Sequence, residues 1–298
     1  MRTAWLRPPL PAASEVGPER PVTAYRVLER RATLTTAGLL LGLAALAWWS
    51  TARSAAGMDD MVLGLADVPT AMPFDMTGPL FLAMWVTMMV AMMFPTVAPV
   101  VLLHRLVMRR RGVGPAPTVA FVGGYLLVWA LAGLVPLAVL VAFAEVGETG
   151  SWVERLAGGV LVVAGAYQFT RWKARCQSAC RSPLTFLATH DFGTGLRGTA
   201  RVGASHGLYC LGCCWALMAV LFAVGLMNLA WMAAIAVVFL AEKHWQHAPL
   251  LAWGVGAGLV LLGAAVVLDP GLLPGAGADP MPMEPSGPGE PMDGMPMG

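Results

Sequence analysis

The sequence predicts an all-α fold: a polytopic bundle of about seven transmembrane helices, N-terminus inside and C-terminus outside. Three observations carry that expectation. Hydrophobic residues make up 57% of the 298 and charged residues 12%, with a mean hydropathy of +0.68. A soluble domain carries about 25% charge, so this chain could not cover a globule's surface. Seven apolar runs approach the roughly 20 residues that a span requires. The basic residues also sort onto alternate connecting segments, which is the pattern that orients a membrane bundle.

The runs are 34–50, 79–102, 118–143, 152–170, 203–226, 229–246 and 249–268. The first follows an arm, 1–33, rich in Pro and Arg. That arm is too long for the n-region of a signal peptide, so the run is read as a retained span in a multi-pass protein of the cell (inner) membrane. With the N-terminus cytoplasmic, the inner segments hold 17 of the 19 Lys and Arg residues, and 12 of the 17 acids fall outside. An odd number of spans follows. Three regions result: a cytoplasmic arm without a core of its own (1–33), a helical membrane domain (34–268) and an extracytoplasmic tail (269–298). The tail is Pro, Gly and Met with scattered acids, a composition that cannot fold alone. A net charge of +2 and no basic-aromatic patch argue against nucleic acid. Five cysteines are too few for a disulfide scaffold.

The side chains able to carry chemistry are soft ones. The tail holds Met281, Met283, Met292, Met295 and Met297, and the loop 58–76 adds Met58, Met61, Met72 and Met76 on the same side. Thioether sulfur selects Cu(I) and needs no deprotonation; compositional drift is the plainer reading. In the second run, Met84, Met88 and Met92 recur at four-residue spacing and form one helical stripe, with Met89 and Met93 on an adjoining face. Methionine also fills gaps in apolar cores, so packing and ligation both stay open. Pro95 and Pro99 free carbonyls that a neighbour must satisfy.

The fifth run carries the sharpest pattern, SHGLYCLGCCWALM. His206, Cys210 and Cys213 sit at i, i+4 and i+7 on one helical face, with Cys214 flanking it. Together they offer the S/N donor set of a Cu(I) or Zn(II) site, against the alternative of a capping His above packed thiols. Cys176 and Cys180 share a helical face in the cytoplasmic segment RWKARCQSACRSPL. The cations around them are expected to favour thiolate, as a transient metal site or a reactive pair. Glu242 and Lys243 read as an interfacial charge pair, and His244 and His247 as polar residues at a cytoplasmic helix end.

These residues carry a resemblance. The segments MWVTMMVAMMFP (84–95), CQSACRSPLTFL (176–187) and the stretch 206–245 resemble the predicted metal-binding integral membrane proteins, some described as membrane copper chaperones. The resemblance spans roughly 35–268. It implies copper handling in the lipid bilayer, supplied to a copper-dependent oxidase or exchanged with a soluble copper carrier. The expected cargo is Cu(I), with zinc as the alternative ion. Common hydrolase, nucleotide-loop and dinucleotide motifs are absent, so no enzyme activity is expected. Two competing readings remain: a thiol-disulfide protein using Cys210 and Cys213, and an assembly factor with buried thiols.

Overall fold

The computed structural model describes residues 22–56, 78–146, 151–190, 195–224, 228–269 and 272. They form helices and no strands among the described residues. In order these are α1 (Val22–Ala56), α2 (Gly78–Arg110), α3 (Ala116–Ala132), α4 (Leu134–Val146) and α5 (Ser151–Gln168). There follow α6 (Arg171–Arg181), α7 (Pro183–Thr189), α8 (Leu196–Val224), α9 (Leu229–His244) and α10 (Ala248–Leu268).

Five stretches among the described residues are long and apolar enough to cross a membrane: Arg30–Ala55, Gly78–Arg110, Ala116–Val139, Leu196–Val224 and Ala248–Leu268. The other two expected spans form as helices but are weaker by that measure. α9 has 16 residues, and α5 has 18 with Glu154 and Arg155 in its first turns. Residues 22–33, assigned from composition to an arm, belong to α1. Ala, Leu, Arg and Glu in that stretch are good helix formers. The tail methionines and the loop methionines 58–76 lie outside the described residues.

Helix ends follow local chemistry. α2 closes at Gly112, whose φ of 74° a residue with a Cβ rarely adopts. There the Gly112 N–H donates to the Arg109 carbonyl at 2.9 Å and the Val113 N–H to Met108 at 3.0 Å, the paired bonds of a Schellman cap. Thr170 caps α6 by accepting from the Lys173 N–H. The Asn228 side chain caps α9 by accepting from Ala230 and Trp231.

Helix packing relies on missing side chains. α5 and α10 cross through facing glycines. A Cβ on Gly165 would lie 2.6 Å from the Gly256 carbonyl oxygen, and one on Gly263 equally close to that of Gly158. α3 and α8 approach the same way, Gly124 against the Ala200 backbone and Gly203 against that of Phe121. Small residues let apolar helices approach without a hydrophobic drive between them. α1 is tied to α2 differently. Pro95 has no N–H for the Ala91 carbonyl four residues back, and Trp48 of α1 donates its indole N–H there at 3.0 Å. Between α3 and α4 the helix breaks at Gly133. The Trp85 ring fills the space beside that glycine and donates to the Trp129 carbonyl at 2.9 Å.

Candidate metal centre

α8 presents one face to four other helices, and the chemistry lies on that face. His206, Cys210, Cys213 and Cys214 are all buried, at 0 to 3% exposure. The i, i+4, i+7 spacing thus places its residues on an inward face. All five cysteines are free thiols.

Sulfur meets sulfur where α6 lies against α8. Cys180 Sγ is 3.9 Å from Cys213 Sγ, which is 3.4 Å from Cys214 Sγ. Cys213 also donates to the Cys210 carbonyl at 3.1 Å. Gly212 makes the approach of α6 feasible, since a Cβ there would stand 2.6 Å from Cys176 Sγ. α2 adds a thioether: Met93 Sδ lies 4.0 Å from Cys210 Sγ. Among the described residues Met93 is the methionine whose sulfur meets a cysteine. Met88 and Met92 of the stripe are buried in the surrounding core and Met84 packs against it.

The rest of the wall is polar in a few placed atoms. The Tyr125 hydroxyl of α3 is 3.3 Å from Cys210 Sγ. Lys243 of α9 sends Nζ to Cys210 Sγ at 3.2 Å and to the Thr96 hydroxyl of α2 at 3.1 Å. Its neighbour Glu242 turns the other way and pairs with Lys173 of α6 at 2.6 Å. The Lys173 ammonium also contacts the Gln168 side-chain carbonyl, and the Gln177 amide donates to the Glu242 backbone carbonyl at 2.9 Å. Glu242 and Lys243 are therefore not an interfacial pair. Both are buried, and they serve different partners because adjacent helical residues point about 100° apart.

His206 stands apart from the sulfurs' contacts. Its ring lies edge-on to Phe186 at 4.8 Å and tilted against Phe121 and Tyr125 at 6.2 Å, with Nδ1 lacking a partner. Among the described residues no three His, Cys, Asp or Glu side chains are grouped to hold a metal. His206 therefore meets rings where Cys210 and Cys213 meet sulfurs. His244 Nδ1 faces the Leu240 carbonyl of its own helix at 3.0 Å, and the His247 ring lies against Trp245.

The cytoplasmic-segment thiols differ from expectation. Burial pushes the Cys176 thiol above its ordinary value, with Cys213 adding to the shift. Contacts with the Cys210 and Cys213 thiols, then burial, push Cys180 well above it. The cations expected to lower both are engaged elsewhere. Arg175 lies over the Trp172 ring, Arg181 donates to the Trp245 carbonyl, and Lys173 holds Glu242.

The copper chaperone family PpoB2 matches residues 82–266. The chain belongs to this family. No curated protein and no solved structure matches it. The copper chaperone match takes in every cysteine, Met93, Thr96, Tyr125 and Lys243, and stops before the methionine tail.

Copper is then the ion that the sulfur cluster must fit. Neighbouring sulfurs in it lie 3.4 to 4.0 Å apart. Thiol and thioether donors are a soft set that suits Cu(I) and zinc alike. Sequence reasoning singled out the four α8 residues and the α6 pair. It missed Tyr125 and Thr96, and it set Met93 beside the stripe rather than at the site. No local signal in the sequence set Met93 apart from the other methionines of α2.

Proposed function

We propose that this protein is an integral membrane copper chaperone that holds Cu(I) in the cluster where α6 meets α8. Cys180 and Cys213 are its principal ligands, with Cys210, Cys214 and Met93 alongside. The observation that carries this reading is the 3.9 Å approach of Cys180 Sγ to Cys213 Sγ, made by thiols from two separate helices. Packing alone has no need to gather free thiols there.

The bundle spans the inner membrane seven times, N-in and C-out, with α5 and α9 as the two shorter crossings. Large exposed apolar side chains on outward faces, such as Leu39, Leu250, Trp253 and Leu261, support contact with lipid, because a soluble protein rarely exposes so much apolar surface. The tail and loop methionines collect Cu(I) outside, and the methionines of α2 lead it inward. His206 and half-buried Cys176 act as flanking donors on the way to a carrier, and the client is a copper-dependent oxidase. Transfer proceeds by exchange of one soft ligand for another, with no bond of an organic substrate made or broken; zinc is the competing ion.

The test is elemental analysis of detergent-purified protein loaded with Cu(I) under reducing conditions. Wild type retains copper through gel filtration, and a Cys180→Ser/Cys213→Ser variant that elutes as wild type loses most of it. Equal copper in both overturns the reading. Wild type without metal whose thiols cycle with a quinone points instead to thiol-disulfide chemistry.

A further inference from the structure

A buried lysine without a carboxylate partner is costly unless something else supplies the negative charge. Lys243 is 7% exposed. Its partners among the described residues are the Thr96 hydroxyl, which is neutral, and the Cys210 sulfur. The nearest acid in sequence, Glu242, is committed to Lys173. The chain therefore builds one balanced ion pair, Lys173–Glu242, and beside it leaves a second ammonium aimed at the sulfurs.

We propose that Lys243 sets the charge selectivity of the sulfur site, favouring a monovalent soft ion over a divalent one. The inference rests on the reading of this cluster as a metal site. The two thiolates of Cys180 and Cys213 around a monovalent ion leave one net negative charge, and the ammonium stands beside them, 3.2 Å from the adjoining Cys210 Sγ, to balance it. Around a divalent ion the same two thiolates are already neutral. Lys243 then becomes an uncancelled charge at a buried position, where opposing and matching charges act most strongly. Softness of the ligands does not make this distinction, since thiolates bind soft monovalent and divalent ions alike. The thiol protons leave to solvent as the ion enters. Thr96 fixes the direction of the ammonium and belongs to the same turn of α2 as Met93, so the charge and the thioether reach the cluster together.

The experiment is competition binding to the full-length protein in detergent, using Cu(I) and Ag(I) as monovalent probes and Zn(II) and Cd(II) as divalent ones. In wild type, Ag(I) displaces Cu(I) and Cd(II) does not. Lys243→Met keeps the length of the side chain and removes the charge. It lowers Cu(I) affinity at least tenfold while leaving Cd(II) affinity unchanged or higher, and Lys243→Arg keeps the monovalent preference. If Cd(II) binds wild type as tightly as Ag(I), the inference is overturned without reference to any variant. It is also overturned if Lys243→Met weakens all four ions in parallel. Failure of the metal site itself looks different: the Cys180→Ser/Cys213→Ser variant would then bind Cu(I) and Ag(I) as wild type does.

Discussion

At the scale of single residues, Cys213 is where contacts converge: the Cys180 and Cys214 sulfurs and the Cys210 carbonyl. Replacing it with serine keeps the volume and removes the soft donor. Retained copper should fall at least tenfold, given that outer-shell changes at metal sites already cost about 10–100-fold; elemental analysis after gel filtration reads this, and unchanged copper refutes it. Cys176 gives a prediction in pH. Its thiol is raised by burial, so it is held in the neutral, unreactive form at pH values where an ordinary thiol, with pKa about 8.5, begins to ionise. Maleimide labelling of a protein retaining Cys176 alone should rise with pH along a curve displaced upward from that of a free thiol. A curve displaced downward would restore the expectation that its cationic neighbours dominate. Those neighbours also show what sequence could not settle. Arg175 and Arg181 sit beside the thiols in the chain, but a ring and a carbonyl hold their side chains in space. By contrast, the face shared by His206, Cys210 and Cys213 was legible, because helical periodicity is local.

At the scale of elements, the fold depends on contacts that few side-chain choices allow. The α5–α10 crossing has no room for a Cβ at Gly165. Gly165→Val should therefore cost about 1–3 kcal/mol, as overpacking does elsewhere, read as a lowered melting midpoint in detergent. Trp48→Phe keeps the ring and removes the donor to the Ala91 carbonyl. Its cost should be about 1–3 kcal/mol, the penalty for leaving a buried carbonyl unsatisfied; no change in melting would mean that the carbonyl finds another donor. Glu242→Ala strands the Lys173 ammonium, which is 1% exposed, and should cost about 3–5 kcal/mol. The double change Lys173→Met/Glu242→Leu should recover much of that, and a double variant as unstable as the single one would show that the pair also positions α6. The prolines of α2 were readable as a need for an outside donor, but not as Trp48, since propensity and spacing say nothing of which helix lies alongside. For the same reason Glu242 and Lys243 looked like a pair: sequence shows their adjacency and hides the two partners that draw them apart.

At the scale of the whole molecule, α2, α3, α6, α8 and α9 all contribute atoms to one centre. The methionine-rich ends lie outside the matched region of the family. Removing residues 281–298 should therefore slow copper loading severalfold without changing how much the cluster finally holds. Stopped-flow uptake and endpoint elemental analysis separate the two, and an equal loading rate would leave the tail without a role in capture. The long apolar helices were visible from composition because they involve whole segments. The meeting of α6 with α8 was not, because it requires a short polar helix to fold back against an apolar one. That return has a kinetic meaning. On the proposed reading Cu(I) sits between Cys180 of α6 and Cys213 of α8, and the Lys173–Glu242 pair depends on the same seat of α6. The dwell time of that proposed cargo is therefore expected to track the lifetime of the ion pair.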